Sequence, residues 1–112
     1  MLTPGHATSA TALSIDRSPV PAGQVVAGAP STGSAVLDVL GETEIGVWEM
    51  SPGAMRDVEA DEVFLVLGGA ATVDFDEEGR SIRLAPGDVV RLTAGMRTVW
   101  TVTETLRKLY LA

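Results

Sequence analysis

Short apolar runs, each closed by a turn signal, fill the chain from GQVVAG onward: SAVLDVL, EIGVWEM, EVFLVL, AATVDF, SIRL, DVVRL, TVWTVT and LRKLYL. The punctuation between them is SPG, LGG, DEEGR, APGD and TAG. The runs are rich in β-branched residues, and no stretch of twelve keeps a helical period, so the pattern predicts a β-sandwich or barrel. At least about eight strands in two facing sheets are expected, with no helix longer than about two turns. Side chains alternate across a strand, which sends Glu62, Phe64 and Val66 to one face and Val63, Leu65 and Leu67 to the other. The same period groups Thr98, Trp100 and Val102, and sets Lys108 and Tyr110 opposite Arg107 and Leu109. A strand apolar on both faces needs cover on both, from the N-terminal segment or from a second subunit. Residues 1–12, rich in Thr, Ser, Ala, Gly and Pro, read as a flexible arm ahead of a single barrel domain over 13–112.

The 112 residues suffice for one hydrophobic core. With 46% apolar residues and no apolar run near membrane length, a soluble globular chain is expected, with no membrane partner. MLTPGHATSATALS has neither a basic start nor an apolar h-region, so no secretory signal is read and the cytoplasm is the expected location. The absence of cysteine removes disulfides, thiolate metal sites and cysteine nucleophiles together. A net charge of −7 without a basic patch argues against nucleic acid and leaves small molecules as partners.

The densest chemistry lies in MRDVEADEVFLVLGG, Met55 to Gly69, where Asp57, Glu59, Asp61 and Glu62 face only Arg56. Glu62 heads a strand apolar enough to be buried. It is either reached by a ligand, with a pKa raised by desolvation for acid or base work, or held by a nearby Arg or backbone amide. Asp57 joins Glu62 as an oxygen ligand for a hard cation, or the run is a solvated acidic loop. Trp48 and Trp100, the two tryptophans, are either cavity walls or core. Lys108 and Tyr110 either clamp a carboxylate or donate a proton, or else reach solvent and pack an edge. Arg56 and Arg97 are further cationic candidates. The sequence contains no phosphate loop and no recognised catalytic triad.

Two stretches resemble the motifs of the cupin superfamily. Glu62, six residues and Gly69 match the spacing of the first motif, and APGDVVRLTAG matches the second, with Gly87 and Gly95 at its glycines. More narrowly, GVWEMSPG, DEVFLVLGG, LAPGD and TVWTVTETLRKLY resemble the cupin-3 type, which includes ureidoglycine aminohydrolase-like and ethanolamine-utilisation-like proteins. The resemblance implies a double-stranded β-helix, or jelly-roll barrel, commonly paired as a homodimer, and small-molecule chemistry. The positions where the family places metal-binding histidines are Met55, Asp57 and Thr98 here, and the one histidine is His6 in the arm. A three-histidine metal centre therefore cannot form within the chain, and no cofactor is expected. The resulting expectation is a cavity lined by Glu62, Phe64, Thr98 and Trp100 that binds or converts a small polar, anionic metabolite. Glu62 serves as acid or base, and Lys108 or Arg97 holds the anion. A metal-dependent aminohydrolase or oxygenase with carboxylate ligands, and a non-catalytic sensor or accessory subunit, are the alternatives.

Overall fold

Two strands too long to lie flat organise the molecule. The structure, a computed structural model, describes all of residues 1–112. It has nine strands and no helix: β1 Ser18–Pro19, β2 Val25–Ala27, β3 Ser31–Leu40, β4 Thr43–Met50, β5 Gly53–Val58, β6 Glu62–Phe75, β7 Arg80–Leu84, β8 Val89–Leu92 and β9 Arg97–Leu111. All pairings are antiparallel. The first half of β6 pairs with β8, and the second half pairs with β7. Likewise β9 pairs along one side with β5 near its start and with β4 near its end, while its other side runs against β6. The chain thus forms two sets of strands, one built on β1, β3, β4 and β8 and the other on β2, β5 and β7. Both sets share β6 and β9, so they hydrogen-bond as one rolled sheet rather than as two separate ones.

The sequence pattern split β6 and β9 into two strands each, with Gly68-Gly69 as the stop. The structure carries β6 straight through those glycines as an irregular stretch, with register shifts against β9 between Val66 and Ala71. Such irregularities bend a strand while keeping its ladder. β5 was not among the expected strands; Arg56 and Asp57 dilute its apolar signal.

The core lies between the two sets of strands. Phe64, Val66, Leu106 and Tyr110 come from one set and Met55, Val73, Phe75 and Trp100 from the other, and all are buried in one cluster. This is the expected inward face of each run. The outer face carries Glu49 and Arg107, ion-paired at 3.0 Å. The segment ahead of β1 lies on it: Arg107 Nη1 donates to the Ala10 carbonyl at 3.0 Å, and Arg17 stands 3.6 Å from Glu49. Val63, Leu65 and Leu67 on this side are half-buried. No helix is long and apolar enough to cross a membrane.

Candidate functional site

Inward-facing positions on β4, β5, β6 and β9 meet at a half-open cavity of about 230 Å³, bordered by Ser34, Trp48, Asp57, Glu59, Glu62, Trp100, Lys108 and Tyr110. At its base lies Lys108, 5% exposed. Its register partners are Trp48 on β4 and Val66 on β6, which fix the side chain inside the barrel. The ammonium donates to Glu62 Oε2 at 2.6 Å. It also lies 4.5 Å from the centre of the Phe64 ring, 4.8 Å from that of Trp48 and 4.9 Å from that of Trp100. The Trp100 ring is tilted against both others, with centroids 5.6 Å from Trp48 and 5.7 Å from Phe64. A cation desolvated among aromatic faces gains about 0.5–2 kcal/mol from each well-placed ring. That contribution and the Glu62 carboxylate offset the cost of removing the charge from water.

A second carboxylate is held rigidly on the opposite wall. Glu59 Oε2 accepts from the Thr98 hydroxyl at 2.6 Å and from Trp100 Nε1 at 2.9 Å. Asp57 sits between the two, with its Oδ1 accepting from the Val58 amide at 2.8 Å. Burial, with the Glu59 carboxylate next to it, raises the Asp57 carboxyl above its ordinary value. At the far side the Tyr110 hydroxyl donates to Glu44 Oε2 at 2.8 Å. Burial and that bond push the Tyr110 phenol up to about 12. Tyr110 lies on Gly46, where a Cβ would run into the phenol ring.

The Asp57 shift has a definite sign in stability. A carboxyl whose folded pKa is raised contributes most below its unfolded value of 3.8, and that contribution is lost as pH rises through the folded value. Asp57→Asn keeps the acceptor for the Val58 amide and removes the buried charge. The variant is expected to melt above wild type at pH 7, and the gap should close as pH falls from the raised folded value down to 3.8. Thermal melts across that range measure it; a variant less stable than wild type at pH 7 would contradict it.

Residues 37–110 match the family model of the EutQ-like cupin domain. The chain belongs to the EutQ-like cupin family. Among solved structures, this cupin is similar to a protein of unknown function from Pseudomonas syringae pv. tomato (25% identity, TM-score 0.76), over 92% of this chain and 45% of that one. It thus spans less than half of that protein's length. It is also similar to the EutQ protein of Clostridium difficile (21% identity, TM-score 0.63; 73% of this chain, 67% of that one). A putative ethanolamine utilization protein from Salmonella typhimurium is alike at 21% identity and TM-score 0.62, over 73% of this chain and 68% of that one. No curated protein matches the chain.

Within the cupin frame, Met55, Asp57 and Thr98 all face inward, opposite Trp100, Thr98 and Asp57 respectively across β5 and β9. Their chemistry does not fit a transition-metal centre. Met55 is core, Thr98 is committed to Glu59, and Glu62 already holds an ammonium. No group of three or more His, Cys, Asp or Glu is arranged to bind a metal ion, and no buried side-chain polar atom lacks a partner.

The fold brings together Trp48, Asp57, Glu62, Trp100, Lys108 and Tyr110 as cavity walls. Phe64 and Thr98 lie just behind, against Lys108 and Glu59. Arg97 does not enter; it is exposed, because the alternation that turns Thr98 and Trp100 inward sends it to the opposite face of β9. The acidic run is not uniformly solvated. Asp57 and Glu59 turn inward, while Asp61 turns out to accept from the Ala94 amide at 2.9 Å. Lys108 does not reach solvent. Glu59, Ser34 and Glu44 were not singled out as site residues. Glu59 continues the alternation of Met55 and Asp57, and Glu44 that of Gly46 and Trp48, so strand period alone points both inward.

Proposed function

We propose that this cupin binds a small polar metabolite in the barrel cavity without a histidine-bound metal. The observation that carries the reading is the charge arrangement, in which Asp57, Glu59 and Glu62 surround one ammonium, Lys108, against the rings of Trp48 and Trp100. With Glu62 engaged by Lys108, the carboxylates open to a ligand are Asp57 and Glu59. That balance favours a ligand whose inner end is an ammonium or an N–H-rich amide over the anionic head suggested by Lys108 alone. Glu59, oriented by Thr98 and Trp100, accepts from the head, and the indole faces supply apolar walls and cation–π contact. Proton transfer, where a reaction follows binding, passes to Asp57, whose carboxyl is raised by burial and forms no ion pair, whereas Glu62 is engaged by Lys108.

Calorimetric titration with butylamine and butyramide, in EDTA throughout, tests this reading. Binding that survives chelation and weakens about tenfold in Glu59→Gln, equivalent to ~1.4 kcal/mol, is expected. Binding that requires added metal, or that ignores Glu59→Gln, would overturn it.

A further inference from the structure

The far end of the cavity carries chemistry that the Asp57–Glu59 end does not explain. Glu44, Gly46 and Trp48 follow one another at period two on β4, so all three face the barrel interior. Gly46 stands opposite Tyr110 in register and leaves room for its ring. The phenol thereby reaches Glu44, to which it donates its one proton at 2.8 Å. Toward a ligand in the cavity that it borders, the Tyr110 oxygen can therefore only accept.

The surrounding charge has the same bias. Glu44, Asp57 and Glu59 are all half-buried, and no ion pair reaches any of them. No arginine borders the cavity, and its one ammonium, Lys108, is held by Glu62. The indole N–H of Trp100 is likewise committed to Glu59. Two stations of hydrogen-bond acceptors with unbalanced negative charge thus remain around a single cavity: Asp57 with Glu59, and Tyr110 backed by Glu44. The rings of Trp48 and Trp100, with centroids 5.6 Å apart, give the same cavity an apolar wall.

We propose that the ligand is a short α,ω-diamine, with one ammonium held by Asp57 and Glu59 and the other by the Tyr110 oxygen against the charge of Glu44. The proposal rests on the cavity reading above and deepens it by naming the ligand class. A bond from an ammonium to either station is charge-assisted, and such bonds are roughly twice as strong as neutral ones. The methylene chain between the heads packs on the indole faces, which have no polar group to offer there. Both stations belong to one cavity of about 230 Å³, which keeps that chain short. A monoamine satisfies one station and leaves the other to water, and a carboxylate at either head meets only like charge.

Calorimetry on the full chain in ~150 mM salt, with 1,3-diaminopropane, 1,4-diaminobutane, 1,5-diaminopentane, 4-aminobutan-1-ol, butylamine and butyramide, decides it. At least one diamine is expected to bind about tenfold or more tighter than butylamine and the amino alcohol. Glu44→Gln keeps an acceptor for the Tyr110 hydroxyl and removes the charge. It should reduce that diamine to the affinity of butylamine and leave butylamine itself unchanged. Glu42→Gln, at the exposed turn between β3 and β4, removes the same charge outside the cavity and should leave the gain intact. Butylamine or butyramide binding with no gain from a second amine, or an amino alcohol as tight as the best diamine, overturns the diamine and spares the cavity. A gain that survives Glu44→Gln, or is lost equally in Glu42→Gln, does the same. Absence of binding by the diamines, butylamine and butyramide alike overturns the cavity reading and the diamine with it.

Discussion

Lys108→Met is expected to destabilise the protein by about 2–4 kcal/mol, and adding Glu62→Gln should return most of that loss. Methionine replaces the lysine stem at similar volume and packs well on aromatic rings, so the change isolates the charge. Breaking a buried ion pair by removing one partner costs about 3–5 kcal/mol, chiefly because the other charge is left unpaired. The Glu62 side chain is 19% exposed, so water relieves part of that penalty. The double variant leaves a neutral amide where the stranded carboxylate would be. Urea unfolding of the four proteins in the cycle gives the coupling directly. A coupling energy below about 0.5 kcal/mol would mean that the pair is held in place by its surroundings and contributes nothing of its own.

That pair also marks the limit of what the chain discloses by itself. Alternation put Glu62 with Phe64, Thr98 with Trp100 and Lys108 with Tyr110 on shared faces of their strands, because side-chain direction in a strand is a local property. Which of them touch is not local. Lys108 reaches Glu62 across 46 positions through the register that sets Val66 against Lys108. Nothing in either segment fixes that register. Read alone, Lys108 on an edge-like last strand is equally a solvated residue, and only the Glu62 carboxylate and the three rings around it make burial tolerable. The acidic run is a related case. Its charge density resembles a loop, yet period two from Met55 carries Asp57 and Glu59 inward until the chain turns and Asp61 faces out. The family motifs identified the fold because they sit at bends, where sequence and geometry are tightly linked. Ligand chemistry depends on which carboxylates remain free once the internal cation is seated.

The motif glycine at the bend of β6 provides the second large effect, with its own control beside it. Gly69 has φ +90°, a conformation that L side chains rarely adopt. A Cβ there would run into the Thr105 carbonyl and come 2.7 Å from the Leu106 Cα on β9. Those are backbone atoms of the strand that both sheet halves share, so neither can step aside without shifting the β6–β9 ladder. The left-handed backbone costs a non-glycine residue roughly 1–2 kcal/mol. Overpacking against fixed backbone adds about 1–3 kcal/mol. Gly69→Ala is therefore expected to lose ~2–5 kcal/mol in total, a large share of the ~5–15 kcal/mol that holds a domain together. Gly68, one residue earlier, has nothing within 4 Å of its would-be Cβ and an ordinary φ. Gly68→Ala should be neutral or gain up to ~1 kcal/mol through the stiffer unfolded chain. Urea midpoints of the two variants, measured side by side, check the contrast. Equal effects at the two positions would show that the β6 bend does not depend on the conformation of Gly69, and that the Glu62-to-Gly69 spacing has a cause other than backbone clearance over β9.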